Sequence, residues 1–451
     1  MQESGDAKTM TKDQPNGPAT VTESNPPQQA GQAHDPWWWV EPSVWTERML
    51  RRLEQSEPTT VWFRLWDKVM DPRNLQAAYW AVWRNQGAPG VDGQSVKQFD
   101  AHEEAELARL REELRTHRYC RQPARRVWIP KPGSAEKRPL GIPAVRDRTV
   151  EAALKHVLEP IFERDFAEHS YGFRPGRGCR EAVQRVEELL KAGRAWCVEL
   201  DFKSYFDTIP HDRLLGLVKQ RVVDGSVLAL LEQSLKAGVL EELKGWQPTE
   251  RGTPQGAVIS PTLANLYLNP LDHQMAQRGY EMVRYADDLV VLCQSQEEAE
   301  QALRQLRHWS QAAGLTLHPT KTRIVNAQSE GFDFLGWHFR GGQKWPRQKS
   351  LEKLREKLRP LTRRTNGRSL SETIAQVNPI LRGWHSYFRD SHPTGLRGPD
   401  GWLRRRLRAM LRKREKRPGW GRSQADSHRW PNRWFAAQGL FSLEQGSCAY
   451  A

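Results

Sequence analysis

Cysteine is scarce in this chain: five residues in 451, Cys120, Cys179, Cys197, Cys293 and Cys448, with no C-x-x-C pair. Neither a zinc knuckle nor a disulfide framework is supported, and a reducing, cytoplasmic setting fits. No apolar run reaches the ~18 residues of a membrane span, so no membrane partner is expected. The first residues lack the apolar stretch of a secretory signal. An acidic excess is missing as well. Lys and Arg number 69 against 54 Asp and Glu, a formal charge of +15. That balance points to a polyanionic partner, with nucleic acid the first candidate. Tryptophan, by contrast, is abundant at nineteen. Most of these rings suit a core, and some lie among basic residues in a manner suited to base stacking.

Residues 1 to about 35 are rich in Gln, Pro, Thr, Ser, Asn and Gly and bury too little apolar surface to offset ordering. Trp37-Trp38-Trp39 ends this tail. Trp62, Leu65, Trp66 and Val69 then fall on one face of a predicted helix, as do Leu75, Ala78, Tyr79 and Val82. Arg125 to Ile142 reads as a hairpin carrying Lys131 and Arg138, and Asp147 as the N-cap of the following helix. Beyond Leu351 three apolar stripes predict three helices. The third carries Arg404, Arg405, Arg408 and Arg412 on its other faces. Nearly all its charges share one sign, so self-repulsion argues for a polyanion beside it.

The densest chemical signal is Tyr285-Ala286-Asp287-Asp288, set between the β-prone runs Met282–Arg284 and Leu289–Leu292. A hairpin tip with two adjacent carboxylates needs a cation, and a hard divalent ion such as Mg²⁺ beside phosphates is the usual one. Upstream, the run Ala195–Leu200 delivers Asp201 at a strand end. Placed beside Asp287, it gives the second ligand of a two-metal site (~4 Å between ions), and the backbone oxygen of Phe202 adds a ligand without charge. Arg251-Gly252-Thr253-Pro254-Gln255-Gly256 is a glycine-flanked turn feeding a helix.

These pieces occur in the order found in reverse transcriptases. The chain resembles the proteins encoded by bacterial group II introns. Tyr171–Gly178, Phe334-Leu335-Gly336, and Arg382-Gly383-Trp384 with Tyr387-Phe388-Arg389 are similar to that family's third block, primer grip and maturase region. The resemblance implies an α+β right-hand polymerase. Its expected division is a disordered tail (1–43), N-terminal extension and fingers (44–195), palm (196–340), basic helical thumb (341–420) and a DNA/RNA-binding tail (421–451). It implies Mg²⁺ on Asp201, Phe202, Asp287 and Asp288. Lys131 and Arg138 grip a deoxynucleoside triphosphate, Phe206 gates against a 2′-hydroxyl, and Gln255 lies near the nascent base pair. Lys321 protonates pyrophosphate. Arg174, Leu335, Gly336 and the thumb arginines contact nucleic acid. The partners it implies are intron RNA, template RNA and primer or target DNA, and the Cys/His-rich endonuclease of many relatives is not expected. Two alternatives stay open: a maturase that only assists splicing, and a reverse transcriptase recruited to defence or repair.

Overall fold

The computed structural model describes residues 36–130 and 137–446. Two units are separable, residues 1–38 and 39–451. In the first, only a short turn at 36–38 is described, with Trp38 exposed. The expected tail at 1–35, Lys131 and Cys448 lie outside the described residues. Order begins before residue 43, where the tail was expected to end, because Val40 is already buried.

In the second unit, eleven strands are described: β1 (Ala124–Pro130), β2 (Lys137–Ile142), β3 (Trp196–Leu200), β4 (Val239–Glu241), β5 (Gly245–Gln247), β6 (Glu281–Tyr285), β7 (Asp288–Cys293), β8 (Arg323–Asn326), β9 (Phe332–Phe334), β10 (Trp337–Arg340) and β11 (Gln343–Pro346). They form three sheets, ordered β2-β1-β4-β5, β6-β7-β3-β8 and β11-β10-β9. The central β6-β7-β3-β8 sheet is wholly antiparallel. It is covered by the helices Cys179–Lys191, Ser260–Gln277 and Gln296–Ala312. With this sheet as palm, the fold is the α+β right-hand polymerase. Among the described residues no helix is long and apolar enough to cross a membrane.

Several local expectations change. Trp62 is not on a helix with Val69: it bridges Val222, and the helix spans only Trp66–Val69. Asp224 ends that stripe's run by accepting the Leu65 and Trp66 amides at 2.7 and 3.0 Å. The stripe Leu75, Ala78, Tyr79 and Val82 is buried on the Pro72–Asn85 helix as expected. Asp147 does not cap its helix, which begins at Val145 after Ala144. It is buried within the first turn, accepting the Tyr119 hydroxyl at 2.7 Å and the Gln122 amide at 3.1 Å. Burial pushes its pKa up to about 6, against the Tyr119 bond and Arg121, which lower it.

The thumb helices Gln348–Leu361, Leu370–Phe388 and Pro393–Arg414 share one apolar core with the palm, joining Val283, Phe332, Leu354, Leu381 and Leu403. Trp430, Phe435 and Leu443 enter the same core. Within the described residues 421–446, the segment expected as a nucleic-acid-binding tail therefore packs its apolar side into the thumb core. Asp400 fastens it, accepting the Leu443 amide at 3.0 Å and the Ser442 hydroxyl at 2.7 Å while paired with Arg404. Asp400→Ala leaves Arg404 buried and unpaired. It should cost about 3–5 kcal/mol, read as a lowered midpoint in denaturant unfolding.

Candidate active site

The register of the palm sheet sets two carboxylate positions side by side. Leu200 at the end of β3 pairs with Leu289 of β7, and Tyr285 of β6 pairs with Asp288. Asp201 therefore lies one step beyond the ladder, next to the Asp287–Asp288 hairpin tip. Past it, the Lys203 amide donates to Thr316 O at 2.8 Å and the His318 amide to Asp201 O at 2.7 Å. The intervening Phe202 is bridged to Leu317 between those bonds. Strand geometry then turns the Phe202 carbonyl to the other edge, the side of β7.

The hairpin tip is braced from beneath. Ala286 has φ +57°, an unfavourable left-handed state for a residue with a Cβ. Arg284, fully buried, donates from Nη1 to Ala286 O and to Asn265 Oδ1, each at 2.9 Å. Its Nε donates to both Asp272 oxygens at 2.8 and 3.0 Å. Asn265 in turn donates to Gly172 O at 2.7 Å. A Cβ on Gly172 would sit 2.4 Å from the Ala286 amide, so the Tyr171-Gly172 segment touches the turn backbone to backbone. Sequence reasoning missed Arg284, Asp272 and Asn265; an Arg immediately before the Tyr-Ala-Asp-Asp step was the available signal.

Burial, then Asp288 and Asp201, push the Asp287 pKa up to about 6, while Arg284 lowers it. Asp288 is raised by burial and Asp201, and lowered by Arg347 and Lys321. Asp288 opens to solvent at the first position of β7, so water screens its share more than that of half-buried Asp287. Lys321 Nζ bonds the Asp201 carboxylate as a monovalent stand-in for a cation. Among the described residues no three His, Cys, Asp or Glu side chains are gathered as a metal cluster. The donors present are nonetheless all hard oxygens, three of them carboxylates only partly offset by Lys321, Arg284 and Arg347, which fits a divalent ion completed by phosphate and water.

Around this centre, Phe206 lies on the Tyr205–Thr208 helix, its carbonyl accepting the Thr253 amide at 2.7 Å. Gln255 O accepts the Gly141 amide of β2 at 2.7 Å, joining the Pro-Gln-Gly turn to the hairpin that carries Arg138. Arg138 is exposed, and it belongs to a cationic set: Lys353 is lowered by burial, then Arg347, Lys349, Lys357 and Arg138.

Residues 129–339 match the model of the reverse transcriptase (RNA-dependent DNA polymerase) domain, and residues 351–430 that of the group II intron maturase-specific domain. The chain is 34% identical to protein YkfC of Escherichia coli K12 over 343 residues, 66% of this chain and 84% of YkfC. It is 35% identical to the group II intron-encoded protein LtrA of Lactococcus lactis, over 53% of this chain and 39% of LtrA.

The chain belongs to the group II intron-encoded reverse transcriptases and maturases.

That family joins RNA-directed DNA polymerisation to a maturase function in intron mobility. It uses a divalent metal, and its two domains imply RNA and DNA binding. Among solved structures, a telomerase from Candida albicans aligns over 74% of this chain and 65% of its own at 12% identity, with a TM-score of 0.41. Against LtrA the reverse transcriptase described here spans well under half the length.

Leu335 and Gly336, expected as the primer grip, form the β9–β10 turn. Leu335 and Gly336 have φ +47° and +87°, the paired left-handed states of a tight hairpin. Tyr387 donates its hydroxyl to Leu335 O at 2.8 Å, and Ser350 donates to Gly336 O at 2.9 Å, pinning the turn to two thumb helices. The basic residues divide sharply. Arg405 is exposed. Arg174, Arg404 and Arg408, expected to contact nucleic acid, are buried. Arg174 is consumed by Glu163 and the carbonyls of Ala167 and Ser170. Arg404 pairs with Asp400, and Arg408 donates to Trp430 O at 2.9 Å. Arg412 is paired with Asp426 at 2.5 Å. These are fold-forming cations.

Arg284→Met should destabilise the chain by about 3–5 kcal/mol by stranding buried Asp272. Adding Asp272→Leu should restore most of that loss while primer extension stays slow, because Ala286 O still lacks its donor. Parallel melting and extension assays separate the two effects. For Asp287, the folded pKa of about 6 lies above the unfolded ~3.9, so its contribution is lost as pH rises through that window. In chelator, stability should fall by about 1–3 kcal/mol between pH 4 and 6, and Asp287→Asn should flatten that slope.

Proposed function

We propose that this chain copies RNA into DNA from a primer 3′-hydroxyl with Mg²⁺ held by Asp201, Asp287, Asp288 and the Phe202 carbonyl, and binds intron RNA as a splicing maturase. The observation that carries this reading is the ladder Leu200–Leu289 and Tyr285–Asp288, which sets Asp201 beside a carboxylate pair whose pKa values are raised first by burial and further by the charge of Asp201. Mg²⁺ supplies charge neutralisation on the triphosphate and a lowered pKa for the attacking hydroxyl.

The chain's own groups do the positioning. Arg138 presents a planar fork to phosphate oxygens and Lys131 a point charge. Phe206, held by its carbonyl bond to Thr253, closes the space where a ribose 2′-hydroxyl would lie. Gln255 sits beside the nascent pair. Lys321 leaves Asp201 when the site fills, which frees its ammonium to give a proton to departing pyrophosphate. The working division is fingers 44–195, palm 196–340 and thumb 341–420. β4–β5 joins the fingers sheet, and β11 extends the palm-side β9–β10 sheet past 340. Template RNA, primer or target DNA and deoxynucleoside triphosphates are the ligands, drawn by the cationic face around Lys353.

Asp287→Ala should abolish extension of a primed RNA template. RNA affinity should stay within about twofold, since the change removes repulsion rather than a phosphate contact. Full extension by the variant in Mg²⁺ would refute the assignment.

A further inference from the structure

The thumb holds a recess away from the palm carboxylates. It lies between the end of the Gln348–Leu361 helix, the middle of the Pro393–Arg414 helix and the turn at 419–422, and encloses about 410 Å³. That falls within the ~300–1,000 Å³ of small-ligand sites. Arg363, Arg364, Arg405, Arg406 and Arg422 line it with Trp402 and Trp420, and no carboxylate does. Five guanidinium groups around one cavity repel one another unless an anion enters.

Trp420 is the most exposed tryptophan among the described residues, at 69%. It is also fixed. A Cβ on the next residue, Gly421, would lie 2.5 Å from the Ala409 amide, so the turn is pressed against the helix backbone. Arg412 Nε holds Pro418 O at 2.9 Å. One face of the indole is taken by Arg364, 4.7 Å from the ring centroid. Arg364 Nε is buried without a hydrogen-bond partner. Arg406 stacks on Trp402 at 5.2 Å and is anchored to Thr362 Oγ1 at 2.7 Å.

We propose that this recess captures one unstacked nucleotide of an RNA loop, with the base against Trp420 and the phosphate on Arg363, Arg405 and Arg422. A duplex offers phosphates but no free base face to the open side of the Trp420 ring, and a flat anionic surface cannot enter a cavity. An extruded nucleotide supplies both a π-face and an anion. Arginine rather than lysine suits the site, because its plane stacks and bonds at once. The inference deepens the RNA-binding reading above and rests on it.

The test is fluorescence anisotropy with the full chain at one salt concentration, comparing an RNA hairpin with an unpaired loop and a blunt RNA duplex of equal length. Trp420→Ala should weaken loop-RNA binding about tenfold and duplex binding less than about twofold. Trp420→Phe, which keeps a ring, should recover most of the loss, and Arg364→Ala should mimic Trp420→Ala. Equal losses on both RNAs, no loss, no recovery with Phe, or the same Trp420 dependence on phosphatidylserine vesicles would each overturn the proposal. Primer extension by the unaltered chain reports separately on the polymerase reading, and its failure would leave the loop-against-duplex comparison intact.

Discussion

One buried guanidinium sustains the geometry of the site. Arg284 lies at the end of β6, wholly out of water, where an unpaired charge would be prohibitive. Asp272 neutralises it, and the remaining donors reach Asn265 and the carbonyl of Ala286. The turn it holds is unfavourable in two ways, with a left-handed alanine and adjacent carboxylates that repel each other. Left to itself such a tip would relax apart. Tying it to the Ser260–Gln277 helix and to Gly172 converts a local liability into a fixed pair of oxygens beside Asp201.

Charge is segregated around that centre. Negative charge is concentrated at the β3 end and the β6–β7 tip. Positive charge collects on the thumb helix at Lys349, Lys353 and Lys357, with Arg347 and Arg138 close enough to depress the Lys353 pKa. Lys321 bonds the Asp201 carboxylate, and Arg347 lowers Asp288 from the cationic side. On the proposed reading, a phosphate chain with divalent ions answers both at once, the ions at the carboxylates and the phosphates at the cations. One continuous apolar core runs through palm, β9–β11 and thumb beneath the two clusters.

Much of this was legible beforehand. The β-prone runs flanking Asp287 and the apolar run ending at Asp201 are local patterns, and the three strands occur where those runs placed them. The stripes at Leu351, Ile380 and Leu403 likewise became helices. Other expectations failed for a common reason. Trp62 had helical spacing but found a strand-like partner in Val222, far along the chain. Asp147 had the composition of a cap but met Tyr119 in the core. Arg174, Arg404 and Arg408 carried the sign of a phosphate ligand but were spent on Glu163, Asp400 and a carbonyl at Trp430.

The sequence by itself determined the family, the three carboxylates, the hairpins that bear them and the helical basic thumb, because periodicity, turn chemistry and motif order are properties of neighbouring residues. Tertiary structure alone decided which arginines face solvent, that the segment around Phe435 closes the thumb core, and that Arg284 braces the Asp287–Asp288 turn. Charge and hydropathy say what a side chain needs. Whether water, a nucleic acid or a distant carboxylate meets that need depends on contacts between residues far apart in the chain.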